Sequence, residues 1–589
     1  MSRMPMQDAS PPTAVMDATP LPGDLDACHA LILELARALT AAQSSREELS
    51  HELQAVQAYL QRLLKQIYGR RSERSLDPNQ QAFDFGDNPE ARDALAEAAA
   101  EAEQIIQEYT VRRAVRKQAA APRQEKFPEH LPRVDVLVDA PEAQRQCPEH
   151  GDRRLIGYDV TETLKFERPK LWVQRTKYAK YACSSQPACG VTQAERPAGL
   201  VEGNRYDTSV AAEVITNKYA YHLTLYREQD QFAAAGWTPH RSTLLNLLIA
   251  SVCLARPLVD YLRQIALESG GVGCDDTRVT LIVPPVVPDV DPANPRSQRI
   301  HDVLQDAIKA GRPSVLGRMW AYRSFELPVN VFDFTVSRHR DGPDEILADY
   351  SGLLMADCYS GFDGIELRCS ESILRAACWA HARRKLIDIQ MNYPQVASVL
   401  LAMIRELYDL EGRARMMTAD ERLALRQREA LSVLARIRGY LESAPIQQAL
   451  PKSDLAKAAG YLKNNWELLK GYTTDGRCPI DNNDTEQLMK QVAVGRKNWL
   501  FVGSVAGGER AATLMTLVSS AIRNALDVSA YIRDVLNQLL AGSTDYHALC
   551  PHVWKLSHPE AIRSYRIDER RDAADRKSVR RAVRRLRQS

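Results

Sequence analysis

The chain has 589 residues, 45% hydrophobic and 26% charged, the make-up of ordinary globular protein and enough for about four domains at roughly 150 residues each. Lysine and arginine number 77 against 75 aspartates and glutamates, and the resulting net charge of +2 excludes a uniformly basic, histone-like binder while permitting local basic surfaces. Eleven cysteines are too sparse for a disulfide scaffold, the longest apolar run (Leu244 to Ala255, 12 residues) is short for a bilayer, and the chain opens without an apolar signal, so a soluble cytoplasmic protein with no membrane partner is expected.

Residues 1–20 are rich in Pro, Ser and Ala and are expected to be disordered. Over 21–75 a heptad runs through Leu25, Ile32, Leu39, Arg46, Leu53, Leu60 and Ile67, with a second series three residues on at Cys28, Leu35, Ala42, Leu49, Val56 and Leu63. Only Arg46 breaks the apolar seam, which predicts a leucine-zipper-like coiled coil and a homo-oligomer. At ~1.5 Å per residue this helix would span about 64 Å, more than one small domain covers. Gly69 ends the pattern, and Arg70, Arg71 and Arg74 follow it. Residues 76–135 read as a linker carrying one Ala/Glu-rich helix at about 90–118.

A small β domain is expected over 136–200. Cys147 and His150 form one knuckle and Cys183 and Cys189 another, with strand-like sequence (Thr161 to Ala182) between them. Those four side chains are candidate ligands for a structural zinc, although the C-x5-C gap is wider than usual. Residues 201–263 read as a helical DNA-binding domain. Helix Leu223–Ala235, Gly236 and helix Arg241–Ile249 make a helix-turn-helix candidate, with Arg241, Ser242 and Thr243 where a recognition helix meets DNA. Helix-glycine-helix also occurs in proteins that bind no DNA.

Next comes the catalytic candidate: a first core segment at 264–385, a helical insertion at 386–474, and a second core segment at 475–545. Asp275 opens a β-rich stretch. Strands follow at Gly317–Phe325 and Val329–Val336, a helix at Pro343–Tyr350, a strand at Gly352–Asp357, then a helix and a strand at Ile373–Cys378. This β-β-β-α-β-α-β order predicts an α/β ribonuclease-H-like core in a mostly α multidomain chain. There the first and fourth strands are neighbours, so Asp275 and Asp357 face each other. Two such charges about 4 Å apart repel by roughly 4 kcal/mol at an effective dielectric of 20, which asks for a hard cation such as Mg²⁺. Thr418 and Glu421 form a capping-box pattern inside the insertion. Glu486 opens a later helix, and Arg496 and Lys497 near its end are candidate phosphate contacts. Cys378 and His381 have the spacing of half a zinc site and are read as packing residues. Residues 546–589 form a basic tail, with 11 Lys/Arg against four acids from Arg563 onward, read equally as a DNA-backbone arm or a solvated helix.

Several stretches together resemble the insertion-sequence-66 family of bacterial DDE transposases: Ile67-Tyr-Gly-Arg-Arg-Ser-Glu73, Lys218-Tyr-Ala-Tyr-His-Leu-Thr-Leu-Tyr-Arg227, Ala356-Asp-Cys-Tyr-Ser-Gly-Phe362, Cys378-Trp-Ala-His-Ala-Arg-Arg-Lys385, Ile480-Asp-Asn-Asn-Asp-Thr-Glu486 and Gly495-Arg-Lys-Asn-Trp-Leu-Phe-Val-Gly-Ser504. The resemblance covers about residues 25–552. It implies a triad of Asp275, Asp357 and Glu486 holding two Mg²⁺ (or Mn²⁺) ions, and double-stranded DNA, both element ends and target, as substrate. Accessory element-encoded proteins are further expected partners. The sequence departs from the family at Asp275-Asp276-Thr277, where the family has Asp-Glu-Thr, and at the cysteine knuckles, where the family has two C-x2-C pairs. A catalytically silent DNA-binding repressor and a structure-selective nuclease are the alternatives; the intact triad speaks against the first and the appended domains against the second.

Overall fold

The structure, a computed structural model, describes residues 205–586 apart from 295, 370 and 371, with short stretches before them, chiefly 146–147, 151–152, 171–177, 180–182, 191–193 and 198–201. The expected coiled coil over 21–75 and the linker helix near 90–118 lie outside the described residues, single positions excepted. Two short antiparallel hairpins occur in the cysteine region, pairing Gln146–Cys147 with Gly151–Asp152 and Lys180–Ala182 with Val191–Gln193. Among the described residues, the strand expected across Thr161 to Ala182 is realised at Lys180–Ala182. Residues 171–177 have no regular structure and leave Trp172 and Val173 exposed.

Five strands build the central sheet: β1 (Gly271–Ile282), β2 (Ser314–Ser324), β3 (Asn330–Thr335), β4 (Gly352–Ala356) and β5 (Ile373–Ala377), in the order β3-β2-β1-β4-β5. The first three form an antiparallel meander, and β4 and β5 add in parallel on the other side of β1. β1 and β4 therefore lie side by side, pairing at Gly271↔Leu353 through Gly273↔Met355. The helix expected between β4 and β5 is present as a short one of four residues, Ile365–Arg368.

Alternate residues of a strand face opposite sides, and each side of this sheet has its own core. Cys274, Trp320, Tyr322 and Leu354 pack with helices α1 (Thr208–Ile215) and α3 (Arg241–Glu268); α2 (Leu225–Ala234) lies between those two in sequence. Val279, Leu281, Met319 and Ala321 pack on the other side with α4 (Ser297–Lys309) and α10 (Asn483–Trp499). Residues 201–263 are thus no separate domain: Ala211, Ile215, Leu244 and Leu258 share one buried cluster with Val272 and Trp320. The expected recognition helix also runs far past Ile249, through Pro257 to Glu268. Its length and apolarity suit a bilayer by composition, but its buried stripe from Leu244 to Ala266 belongs to the sheet's core.

Helices α5 (Trp379–Ile389), α6 (Pro394–Arg413), α7 (Ala419–Leu425), α8 (Leu431–Leu441) and α9 (Asp454–Asn464) carry the chain from β5 towards α10. The Thr418–Glu421 capping box is present at the start of α7. Arg426, 1% exposed, pairs with Glu411 at 2.7 Å and donates to the Tyr472 and Asp475 carbonyls at 2.7 and 2.9 Å. Near the end of the insertion, the Leu469 carbonyl accepts the Trp379 indole N–H at 2.8 Å.

Helix α11 (Val505–Arg523) closes the sheet at β3. The N–H groups of Asn330 and Phe332 donate to the hydroxyls of Ser520 and Thr516, at 3.0 and 2.9 Å, so the exposed edge of β3 is satisfied by side chains one helical turn apart. Helix α12 (Val528–Leu540) follows, and Leu549, Cys550, Trp554 and Ala561 still sit in the main core. The basic tail accordingly begins near Arg563 and not at 546. It is a single helix, α13 (Ser564–Leu586).

Candidate active site

Asp275 and Asp276 are consecutive on β1, so the pleat turns them to opposite faces of the sheet. Asp276 goes towards the α3 side, where Arg318 and Arg338 bind its carboxylate at 3.1 and 2.8 Å and leave its side chain 3% exposed. Asp275 shares its face with Gly273, and Gly273 is where α10 touches the sheet. A Cβ built there would lie 2.2 Å from the Thr485 hydroxyl and 2.8 Å from the Asn482 amide oxygen. The missing side chain lets the first turn of α10, and Glu486 with it, come against β1.

Further contacts fix that turn. The Asn482 side-chain N–H₂ donates to the Cys274 carbonyl at 2.7 Å, and Asp484 pairs with Arg323 of β2 at 3.1 Å. Asp481 accepts from the Asn483 backbone at 3.1 Å, which starts the helix. Acidic residues in a first helical turn also suit the positive end of the helix dipole. At the far end of α10, Arg496 donates to the Thr277 hydroxyl at 2.9 Å and the Arg278 carbonyl at 2.7 Å. The chain then turns at Leu500 (φ 62) and Val502 bridges in parallel to Leu281, so both ends of α10 are tied to β1.

Asp357 is the residue after β4. One carboxylate oxygen accepts from the Tyr359 N–H at 3.1 Å, and the other lies 3.5 Å from the Arg338 guanidinium. Arg338 stacks 3.9 Å from the centre of the Tyr359 ring and so stands between Asp276 and Asp357. The sequence gives no sign of Arg338; it acts from a loop just after β3, where no periodicity marks it.

Asp275, Asp357 and Glu486 come from three elements, and the charges of the latter two bear on Asp275. Burial pushes the Asp275 carboxyl up to about 7, and the charges of Glu486, Asp276 and Asp357 add to that rise. Glu486 Oε1 is buried without a hydrogen-bond partner. Acids whose charges repel one another suit a hard divalent cation. His381, in the first turn of α5, puts Nδ1 3.6 Å from Glu486 Oε1. Cys378 follows β5 as the N-cap residue of α5 and is buried, with burial pushing its thiol up to about 12.

The other expected site residues fall elsewhere. Arg241 and Ser242 are exposed in the first turn of α3, with Thr243 half-buried; the Ser242 hydroxyl is 2.6 Å from the capping His240 ring and Arg241 lies over Tyr226. That first turn faces solvent while the rest of α3 serves the core. Arg496 is engaged by β1, and Lys497 is exposed at the end of α10. Cys147 is described only as a member of its short strand, and His150, Cys183 and Cys189 lie outside the described residues.

Two family models match the chain. One, described as "Transposase IS66 family", covers residues 203–289 and 302–510, and so includes all three acids. The other, described as "Transposase C of IS166 homeodomain", covers residues 55–136, a span that the heptads and composition divide between the end of a coiled coil and a linker. Among curated proteins, the uncharacterized protein y4jD of Sinorhizobium fredii is 32% identical over 86% of this chain and 96% of its own length. The uncharacterized protein y4qI of the same organism is 29% identical over 93% of this chain and 100% of its own.

Proposed function

The chain belongs to the IS66 family of transposases, and from that premise we propose that it cleaves and joins DNA strands of a bacterial insertion sequence at Asp275, Asp357 and Glu486, on a ribonuclease-H-like core. What supports this reading is that the charges of Glu486, in the first turn of α10, and Asp357, at the end of β4, bear on the buried Asp275 of β1, while Asp276 is held by two arginines on the opposite face. Two Mg²⁺ or Mn²⁺ ions held there would activate the attacking hydroxyl and stabilise the leaving oxygen in an in-line displacement. The protein's own role is positional. Gly273 sets the depth of Glu486, the Tyr359 N–H orients Asp357, and Arg338 fixes the Asp357 loop against Asp276.

DNA is held by other surfaces in this reading. Lys497 and the basic face of α13 supply phosphate contacts, the first turn of α3 with Arg241, Ser242 and Thr243 reads the element end, and the homeodomain-like segment over 55–136 adds a second DNA contact. The N-terminal heptads join copies of the chain, and zinc at Cys147, His150, Cys183 and Cys189 orders the hairpin region. The chain works on DNA in the cytoplasm.

The test is strand cleavage of labelled element-end DNA with Mg²⁺. Asp275→Asn, Asp357→Asn and Glu486→Gln are each expected to lower cleavage by at least ~10³-fold while end binding stays within a few-fold, because each keeps shape and removes a metal-binding charge. Cleavage within a few-fold of wild type in any one of them removes that residue from the triad.

A further inference from the structure

Cys378 and His381 are separated from Glu486 by the whole helical insertion, yet the fold brings the three together. One ligand atom from each lies within 4.8 Å of the other two. Nδ1 of His381 and Oε1 of Glu486 are 3.6 Å apart, beyond hydrogen-bond reach, and both atoms are buried without a hydrogen-bond partner. Leaving such groups unmatched is unfavourable, so the pair is poised for an occupant that satisfies both. The Cys378 sulfur is placed differently. It accepts the backbone N–H of Asn482 at 3.2 Å and is also approached by the backbone N–H of His381.

We propose that Cys378, His381 and Glu486 bind one Zn²⁺ ion. A thiolate, an imidazole and a carboxylate are the donor set zinc prefers, whereas Mg²⁺ takes oxygen ligands and does not favour sulfur. Zinc bonds of about 2.0–2.3 Å at tetrahedral angles put ligand atoms roughly 3.4–3.6 Å apart. The Nδ1 to Oε1 separation already matches, and the sulfur needs only a side-chain adjustment. Three protein ligands leave the fourth position for water or a DNA phosphate oxygen. The ion ties the start of α5, before the insertion, to the start of α10, after it, and so supports Glu486. This site does not depend on the cleavage reading: Glu486 is a zinc ligand whether or not it also serves strand transfer.

The experiment uses the full chain, purified without chelator and measured for zinc by elemental analysis. Cys378→Ser and His381→Ala are each expected to lose one zinc per chain relative to wild type, whereas Cys147→Ser keeps this ion. Asp275→Asn is expected to keep it as well, even where cleavage is lost, so the two readings fail separately. Zinc content unchanged by Cys378→Ser overturns the proposal, as does loss of the ion in Asp275→Asn, which would move it to the acidic pair. Because Cys378→Ser can also disturb packing, Co²⁺ is added to metal-free protein carrying Cys147→Ser and Cys183→Ser, with Cys378 intact. A thiolate-to-cobalt charge-transfer band is expected there, and its absence overturns the site.

Discussion

Asp275 and Asp276 are chemically identical neighbours, and only the pleat of β1 gives them different work. Residue type and spacing do not separate them in the sequence; the partners do, since Arg318 and Arg338 come to Asp276 from β2 and from the loop after β3. Those partners are brought by tertiary pairing, which is why Arg338 is not legible in the sequence. The same holds for His381 and Glu486, which stand 486 − 381 = 105 residues apart. A second buried acid has a testable consequence of its own. Glu228 of α2 is 0% exposed, neither oxygen has a hydrogen-bond partner, and burial pushes it up to about 8, with Lys218 lowering and Glu213 raising it. The folded chain therefore holds a proton that the unfolded chain releases near 4.5. Its contribution to stability is present below that value and is lost as pH rises towards about 8. Glu228→Gln should flatten this decline and raise stability above pH 8 by about 2–4 kcal/mol. Urea midpoints at pH 6 and pH 9 check it; equal pH dependence in variant and wild type would remove Glu228 as the source.

At the scale of elements, the contact of α10 with β1 sets the site. Gly273→Ala puts a methyl group into the space of the Thr485 hydroxyl and the Asn482 amide, so α10 must withdraw. A displacement of about 1 Å is enough to cost ~10²-fold in rate, and that loss of cleavage is expected with the melting temperature little changed. Cleavage near wild type would show that the turn relaxes without moving Glu486. Strands β2 to β5 are readable in the sequence to within a few residues because each is rich in apolar and β-branched residues, whereas β1 is marked only as a β-rich stretch. The long helix is not. The glycine turn before Arg241 fits a helix-turn-helix, but the stripe Leu247, Leu248, Ser251, Ala255, Leu258 continues through Pro257, and burial against the sheet overrides the proline's cost. The edge of β3 is equally hidden, since Thr516 and Ser520 look like ordinary helix residues until their hydroxyls meet its N–H groups.

For the molecule as a whole, charge is unevenly spread. From Arg563 onward the chain carries 11 − 4 = +7, so the preceding residues sum to 2 − 7 = −5. Arg576, Lys577 and Arg580 lie on α13, the most basic helix among the described residues. Replacing these three by glutamine should weaken binding to any duplex and reduce the log–log salt slope by up to ~0.9 for each phosphate no longer neutralised. Fluorescence anisotropy across a salt series measures both; an unchanged slope would leave α13 as a solvated helix.

The order in which the three acids occur along the chain also sets a clock. Asp275, Asp357 and Glu486 emerge in that sequence, the last 486 − 275 = 211 residues after the first. At roughly 5–20 residues per second, the ribosome needs about 10–40 s to pass from one to the other. During that interval β1 and β4 can pair, but the helix that fills the space above Gly273 does not yet exist. A chain that ends before Glu486 thus lacks the third acid of the proposed triad, and the cleavage proposed for it has to await that helix.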